Sequence, residues 1–214
     1  MAVTARMKFQ PSEIALVTVN LIPVAGLVFF GWSVFDVFFL YWLESAILGF
    51  FGILKMIVIG MHLGGVWKSS LFFSVPFFLV HYGGFMLGHL IFIIILFNGQ
   101  GENLSLSYSA AASIVQQTFT RVSIAFLSMF VSHAFSFVNN FLKQREYFNS
   151  DPQRFKSLPY GRIAVMHLSV FLALFVTIFL KIPVLAPALI ICTKVVTDLR
   201  AHRREHRGIV LSGM

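Results

Sequence analysis

The sequence predicts an all-α fold: a polytopic membrane helix bundle of about six transmembrane helices, forming one domain over 1–214, with the N-terminus and C-terminus cytoplasmic. Three observations carry that expectation. Of 214 residues, 58% are hydrophobic and 11% are charged, whereas a soluble domain carries about 25% charged residues to cover its surface. Phenylalanine occupies 26 positions, and lipid accommodates that much aromatic surface where water does not. Apolar runs also recur at the length a bilayer requires, about 20 residues per spanning helix.

In order, the predicted spans are about 14–31, 34–60, 71–97, 115–142, 163–181 and 184–200. The first follows a charged start (Arg6, Lys8). It is longer than the apolar core of a signal peptide and has no small-residue cleavage site, so it reads as a retained helix. Gly31-Trp32-Ser33 separates it from the second, and a break from Met61 to Ser70 precedes the third. A polar stretch, Asn98 to Ser113, leads to the fourth. A basic loop with Pro152 and Pro159 precedes the fifth, and Lys181-Ile182-Pro183 reverses the chain into the sixth. There is no internal repeat.

Orientation follows from the basic residues, which collect on short cytoplasmic loops. With the N-terminus inside, 14 of the 16 Lys and Arg fall on the cytoplasmic side, leaving Arg121 and Lys181 opposite. The net charge of +8 is therefore a topology signal that suits the anionic inner leaflet of a bacterial plasma membrane. It does not argue for nucleic acid, because no basic and aromatic groove remains outside the spans. Cys192 is the only cysteine, so no intrachain disulfide forms. No glycine-rich phosphate loop, CxxC pair or G-x-S-x-G elbow is present.

Ionisable groups are costly in lipid and usually face a bundle interior, where they pair, bind ions or relay protons. Glu44, His81, His89, His133 and His167 all lie inside predicted spans. At about 1.5 Å per residue, Glu44, His81, His133 and His167 overlap in depth in the middle and cytoplasmic half, while His89 belongs to a layer further out. Any one such histidine usually serves as a hydrogen-bonding contact between helices; four ionisable groups on four helices at similar depth point to a shared site. His81, Gly84 and Gly88 share a helix face, and the Gly84-x-x-x-Gly88 spacing lets another helix approach. Ser128, Ser132, Ser136 and Asn139 form a polar stripe beside His133.

The last segment adds Asp198, His202 and His206 at i, i+4 and i+8, so one helix face offers two imidazoles and a carboxylate. Those donors suit zinc or iron. His202-Arg-Arg-Glu205-His206 also fits the H-x-x-E-H pattern of inverzincin proteases, although no acidic third ligand follows. The plainer reading is a basic juxtamembrane helix whose Asp198 and Glu205 pair with its arginines.

The segments Gly31-Trp32-Ser33-Val34-Phe35, Tyr41-Trp42-Leu43-Glu44, Leu54-Lys55-Met56, His81-Tyr82-Gly83-Gly84-Phe85, Gly88-His89 and Pro159-Tyr160-Gly161-Arg162, with the Asp198/His202/His206 tail, resemble a family of bacterial membrane proteins known as a domain of unknown function. The resemblance covers nearly the whole chain and implies a topology without an activity. A weaker chemical similarity links Ser128, His133, Asp198, His202 and His206 to membrane zinc hydrolases of the ceramidase and adiponectin-receptor type, which have seven helices and another motif order.

The expectation is thus a metal-binding membrane protein, a zinc- or iron-dependent enzyme acting on a lipid-soluble substrate. His81, His133, His167, Asp198, His202 and His206 would hold the metal; Glu44 or Glu205 would move protons as the catalytic groups. One alternative is a b-type cytochrome or quinone-linked electron carrier, with His81 and His133 or His167 as axial ligands to haem. The other is a proton- or ion-coupled transporter using Glu44, Asp36 and the histidines. Membrane lipids are the expected partners, and a homo-oligomer is compatible with the sequence.

Overall fold

The computed structural model describes residues 22–98 and 107–149, together with the isolated positions Leu168, Leu172, Cys192 and Thr193. They divide between two compact units, one built from 1–31 with 169–214 and the other from 32–168. Within the first unit, α1 (Ile22–Phe29) is a short apolar helix with Pro23 in its first turn, where proline's fixed φ and missing N–H are tolerated.

The second unit contains α2 (Val34–Leu63), α3 (Gly65–Asn98) and α4 (Tyr108–Ser136). A π-helical turn, Phe137–Lys143, and a 3₁₀ turn, Glu146–Asn149, complete its described part. Three stretches are long and apolar enough to cross a membrane: Val34–Leu63, Gly65–Ile95 and Tyr108–Lys143. They match the predicted second, third and fourth spans. Positions 14–21 of the first span lie outside the described residues, as do the fifth and sixth spans apart from Leu168, Leu172, Cys192 and Thr193.

The start of α2 is fixed by a capping box. The Ser33 hydroxyl accepts from the Asp36 backbone N–H at 3.2 Å, and the Asp36 carboxylate accepts from the Ser33 N–H at 2.7 Å. Those two bonds satisfy donors that every helix start leaves without an internal partner. The helix ends at Gly64, and the next residue, Gly65, opens α3. Their φ values of 65° and 48° lie in the left-handed region that glycine enters without steric cost. Two adjacent glycines therefore turn the chain back on itself and set α3 antiparallel to α2.

The α2–α3 interface is closed by size. Phe35 and Phe38 meet Phe97, with ring centroids 6.3 and 4.9 Å apart. Trp42 Nε1 donates to the Met86 carbonyl at 2.7 Å, and the Tyr82 hydroxyl donates to the Ser45 carbonyl at 2.7 Å. Met56, Phe78, Tyr82 and Met86 form a buried cluster. Gly49 receives the Tyr82 ring and Gly60 receives Leu71, so close that a β-carbon at either would collide, at 2.5 and 2.8 Å. The small-residue approach thus uses Gly49 and Gly60 on α2, while Gly84 and Gly88 are exposed among the described residues.

The other face of α2 carries α4. Asp36 near the start of α2 meets Arg121, whereas Phe51 and Lys55 further along meet Phe137 and Phe141, so α2 and α4 run parallel. α3 and α4 pack against α2 rather than against each other, which makes α2 the central helix of a three-helix layer. Asp36 is the third residue of α2 and Arg121 the fourteenth of α4. The first three turns of α4, about 16 Å, therefore extend past the start of α2. That extension is polar, with Ser107 capping it through a bond to the Ala110 N–H at 3.2 Å. It explains why the helix begins at Tyr108 although its apolar run begins near 115.

A Gly49→Ala variant should be destabilised by about 2 kcal/mol, within the range for overpacking a close-packed interface, because Tyr82 is pinned by its bond to Ser45. Thermal unfolding in detergent checks this; an unchanged midpoint would show that the α2–α3 approach is looser than described.

Candidate functional site

Two stripes of side chains face each other along the α2–α4 seam. On α4, Thr118 and Val122 are fully buried and Ala125 nearly so. His133 continues the same stripe three helical turns on from Val122. Its ring lies 6.2 Å from that of Phe51 at an interplanar angle of 27°. Phe51 also meets Phe130 and Phe137 at 5.5 and 5.7 Å. On α2, Glu44 is half-buried. Seven residues before Phe51 and eleven before Lys55, it shares their stripe to within about 20° and so belongs to the α4-facing side.

One end of the seam is closed by an ion pair. Asp36 is 1% exposed while the Arg121 side chain is 44% exposed. Arg121 Nη2 donates to Asp36 Oδ1 at 2.8 Å and Nε donates to both carboxylate oxygens at 3.1 Å. Nη2 also donates to the Thr118 hydroxyl at 3.1 Å, and the Ser33 hydroxyl donates to Asp36 Oδ2 at 2.9 Å. A carboxylate removed from water needs this many donors to remain ionised. At the other end the Lys55 ammonium lies 5.2 Å from the centre of the Phe141 ring, within cation–π range.

The ionisable groups therefore form a line. Glu44 lies about 12 Å along α2 from Asp36 and about 10 Å before the level of Phe51 and His133, with Lys55 a further turn on. Ligands to one metal ion sit about 2 Å from it, so a succession of levels suits carriers better than joint coordination.

His81 is placed elsewhere. It is exposed on α3, stacked on Phe77 at 5.3 Å and meeting Phe85 edge-on at 5.1 Å. The α3 side chains turned to α2 are Phe78, Tyr82 and Met86, and His89, only 4% exposed, continues their stripe. α2 thus stands between His81 and His133, and the structure does not bring that pair together. Among the described residues no three His, Cys, Asp or Glu side chains gather as a metal-ligand set. His167, Asp198, His202, Glu205 and His206 lie outside the described residues.

In the polar stripe two members bond to their own backbone: Ser128 on α4 donates to the Ile124 carbonyl at 2.8 Å, and Asn139 in the π turn donates to the Phe135 carbonyl at 3.2 Å. Ser128 is exposed, which separates it from the seam that holds His133.

A family model matches residues 2–211. The chain belongs to the family of unknown function DUF6498. Neither a curated protein nor a solved structure matches it. Membership accounts for the extent of the resemblance and assigns no chemistry to this DUF6498 chain.

The Asp36–Arg121 pair is the element that sequence reading missed. Asp36 near the start of one span and Arg121, the lone cation inside another, lie near the same end of two parallel helices. That coincidence was the available signal. Arg121→Ala should lower stability by about 3 kcal/mol, the lower end of the cost of stranding a buried charge, since Arg121 is 44% exposed. Adding Asp36→Asn should recover part of the loss, because the asparagine Oδ1 can still accept from the Ser33 N–H in the capping box and the side chain carries no charge. Equal unfolding midpoints for wild type and Arg121→Ala would show that the pair is dispensable.

Proposed function

We propose that this DUF6498 chain is a six-span protein of the bacterial inner membrane, with both termini cytoplasmic, that carries protons along the α2–α4 seam. The supporting observation is the line of ionisable groups on the facing stripes of α2 and α4. Glu44 and His133 are the carriers in this reading. Each can exchange a proton, each lies within a membrane-length helix, and the Phe51 cluster beside His133 keeps the region between them from becoming an open pore. Asp36 and Arg121 close one end and hold the two helices in register, while Lys55 repels cations at the other and slows leakage.

A second reading keeps a zinc- or iron-dependent enzyme with a lipid-soluble substrate. Its support is His133, which faces the seam, and the donor pattern of Asp198, His202 and His206 in the sequence. His167 from the fifth predicted span would complete the set, with Glu205 or Glu44 moving protons. For a b-type haem, α2 separates His81 from His133, which leaves His81 with His167, outside the described residues, as the axial pair.

Proteoliposomes holding the full chain, with a pH-sensitive dye inside, distinguish these readings when paired with elemental analysis of the same preparation. Transport predicts proton uptake under an applied gradient that falls roughly a hundred-fold in Glu44→Gln, the lower end of what a positioned proton carrier contributes. Absence of proton movement in wild type, or wild-type flux in Glu44→Gln, would sink it. Stoichiometric metal lost in His133→Ala would then establish the second reading.

A further inference from the structure

Away from the Asp36–Arg121 pair, at the opposite end of the seam, basic and aromatic side chains form one continuous cluster. The His62 ring meets Phe148 at 4.2 Å and Tyr147 at 5.1 Å. Tyr147 meets Phe141 at 5.9 Å, and Phe141 carries the Lys55 ammonium at 5.2 Å. Arg145 stacks its guanidinium over Phe148 at 5.7 Å. Lys143, at the end of the π turn, donates to Asn139 Oδ1 at 3.0 Å, which leaves two of its three N–H donors for another acceptor. Lys143 and Arg145 are both exposed, and Glu146 is the one acidic residue of the cluster's own turn.

The backbone is shaped to present these cations. The π turn widens the helix, so that Gln144 N–H bonds to the Asn139 carbonyl at 3.2 Å, five residues back. Arg145 then adopts a φ of 58°, the only positive value at a non-glycine residue among those described. Arginine enters that region at a steric cost, and such outliers cluster where a side chain must be aimed. The π turn ends at Lys143, Gln144 follows it, and the left-handed Arg145 then lays its guanidinium over Phe148 on the rim of the ring cluster, so that two exposed cations lie two residues apart at this end of the seam.

We infer that this cluster binds the headgroup phosphate of an anionic phospholipid. The charge is complementary: a phosphate diester offers acceptors to the fork of Arg145 and the remaining donors of Lys143. Position supplies the occupant, because the cluster lies where membrane-length helices end. Tyr147, within it, is of the residue type that settles at the headgroup level, and headgroups are present there at high density. This inference rests on the membrane-spanning reading of α2 and α4 and is independent of whether the seam carries protons.

The test uses the full chain in neutral detergent micelles, titrated with phosphatidylglycerol or phosphatidylcholine while the unfolding midpoint is followed. Phosphatidylglycerol should raise the midpoint and phosphatidylcholine should not. Lys143→Gln with Arg145→Gln should raise the phosphatidylglycerol fraction needed by about five-fold per charge removed. Arg145→Gly guards against a folding defect: glycine adopts φ 58° readily, so its midpoint in phosphatidylcholine should hold or rise while its response to phosphatidylglycerol weakens about five-fold. Equal responses to the two lipids, or an undiminished phosphatidylglycerol response in Arg145→Gly, would overturn the inference.

Discussion

One carboxylate organises the described helices. Asp36 accepts from the first backbone N–H of its own capping box and from the Arg121 guanidinium thirteen residues into α4. The same two oxygens therefore start α2 and attach α4 to it. A charge so thoroughly buried is tolerable only while its donors stay in place. Moving α4 by one turn, or unwinding the first turn of α2, would strand it. The register of the α2–α4 pair follows from that constraint, as does the projection of α4 beyond the start of α2, while the contacts of Phe51 and Lys55 with Phe137 and Phe141 fix its direction.

With α4 fixed on one side, α2 divides its two faces by chemistry. Toward α3 it presents Gly49, Gly60, Trp42 and Met56, and contact there is set by the size of Tyr82 and Leu71 against glycine. Toward α4 it presents Asp36, Glu44, Phe51 and Lys55. The first face is apolar and interlocking, as a structural interface should be, and the buried ionisable group in that contact, His89, comes from α3. The second alternates ionisable groups with aromatic rings, an arrangement that costs free energy in a bilayer and brings nothing to packing that leucine would not bring more cheaply. That asymmetry is the physical reason for assigning function to the seam rather than to the α2–α3 contact.

Much of this was legible in the sequence, and what was not has a common cause. Hydropathy reports where a span lies along the chain, so the second, third and fourth spans were found. The Gly64-Gly65 turn falls within the predicted break from Met61 to Ser70. Hydropathy does not report which way a residue faces once every face of a helix is apolar. The sequence therefore grouped His81 with His133 by depth, whereas azimuth separates them: His81 lies away from α2 and His89 turns toward it. The glycines that close the α2–α3 interface are Gly49 and Gly60 on α2, because these and Gly84-x-x-x-Gly88 are equally plausible until a partner helix is placed. Asp36 and Arg121 were visible only as isolated charges, since their pairing spans 85 positions. The tail set of Asp198, His202 and His206 stands as a sequence pattern, outside the described residues.

The central claim is that Glu44 is a working proton carrier rather than a charge held for packing. Difference infrared spectroscopy of the lipid-reconstituted chain through a pH step addresses it most directly, by following carboxyl protonation in the wild type, Glu44→Gln and His133→Gln. The account predicts a carboxyl band that responds to the step, vanishes in Glu44→Gln and shifts in His133→Gln, because the two groups are successive sites on one seam. A band that survives Glu44→Gln, or one indifferent to His133, would contradict it.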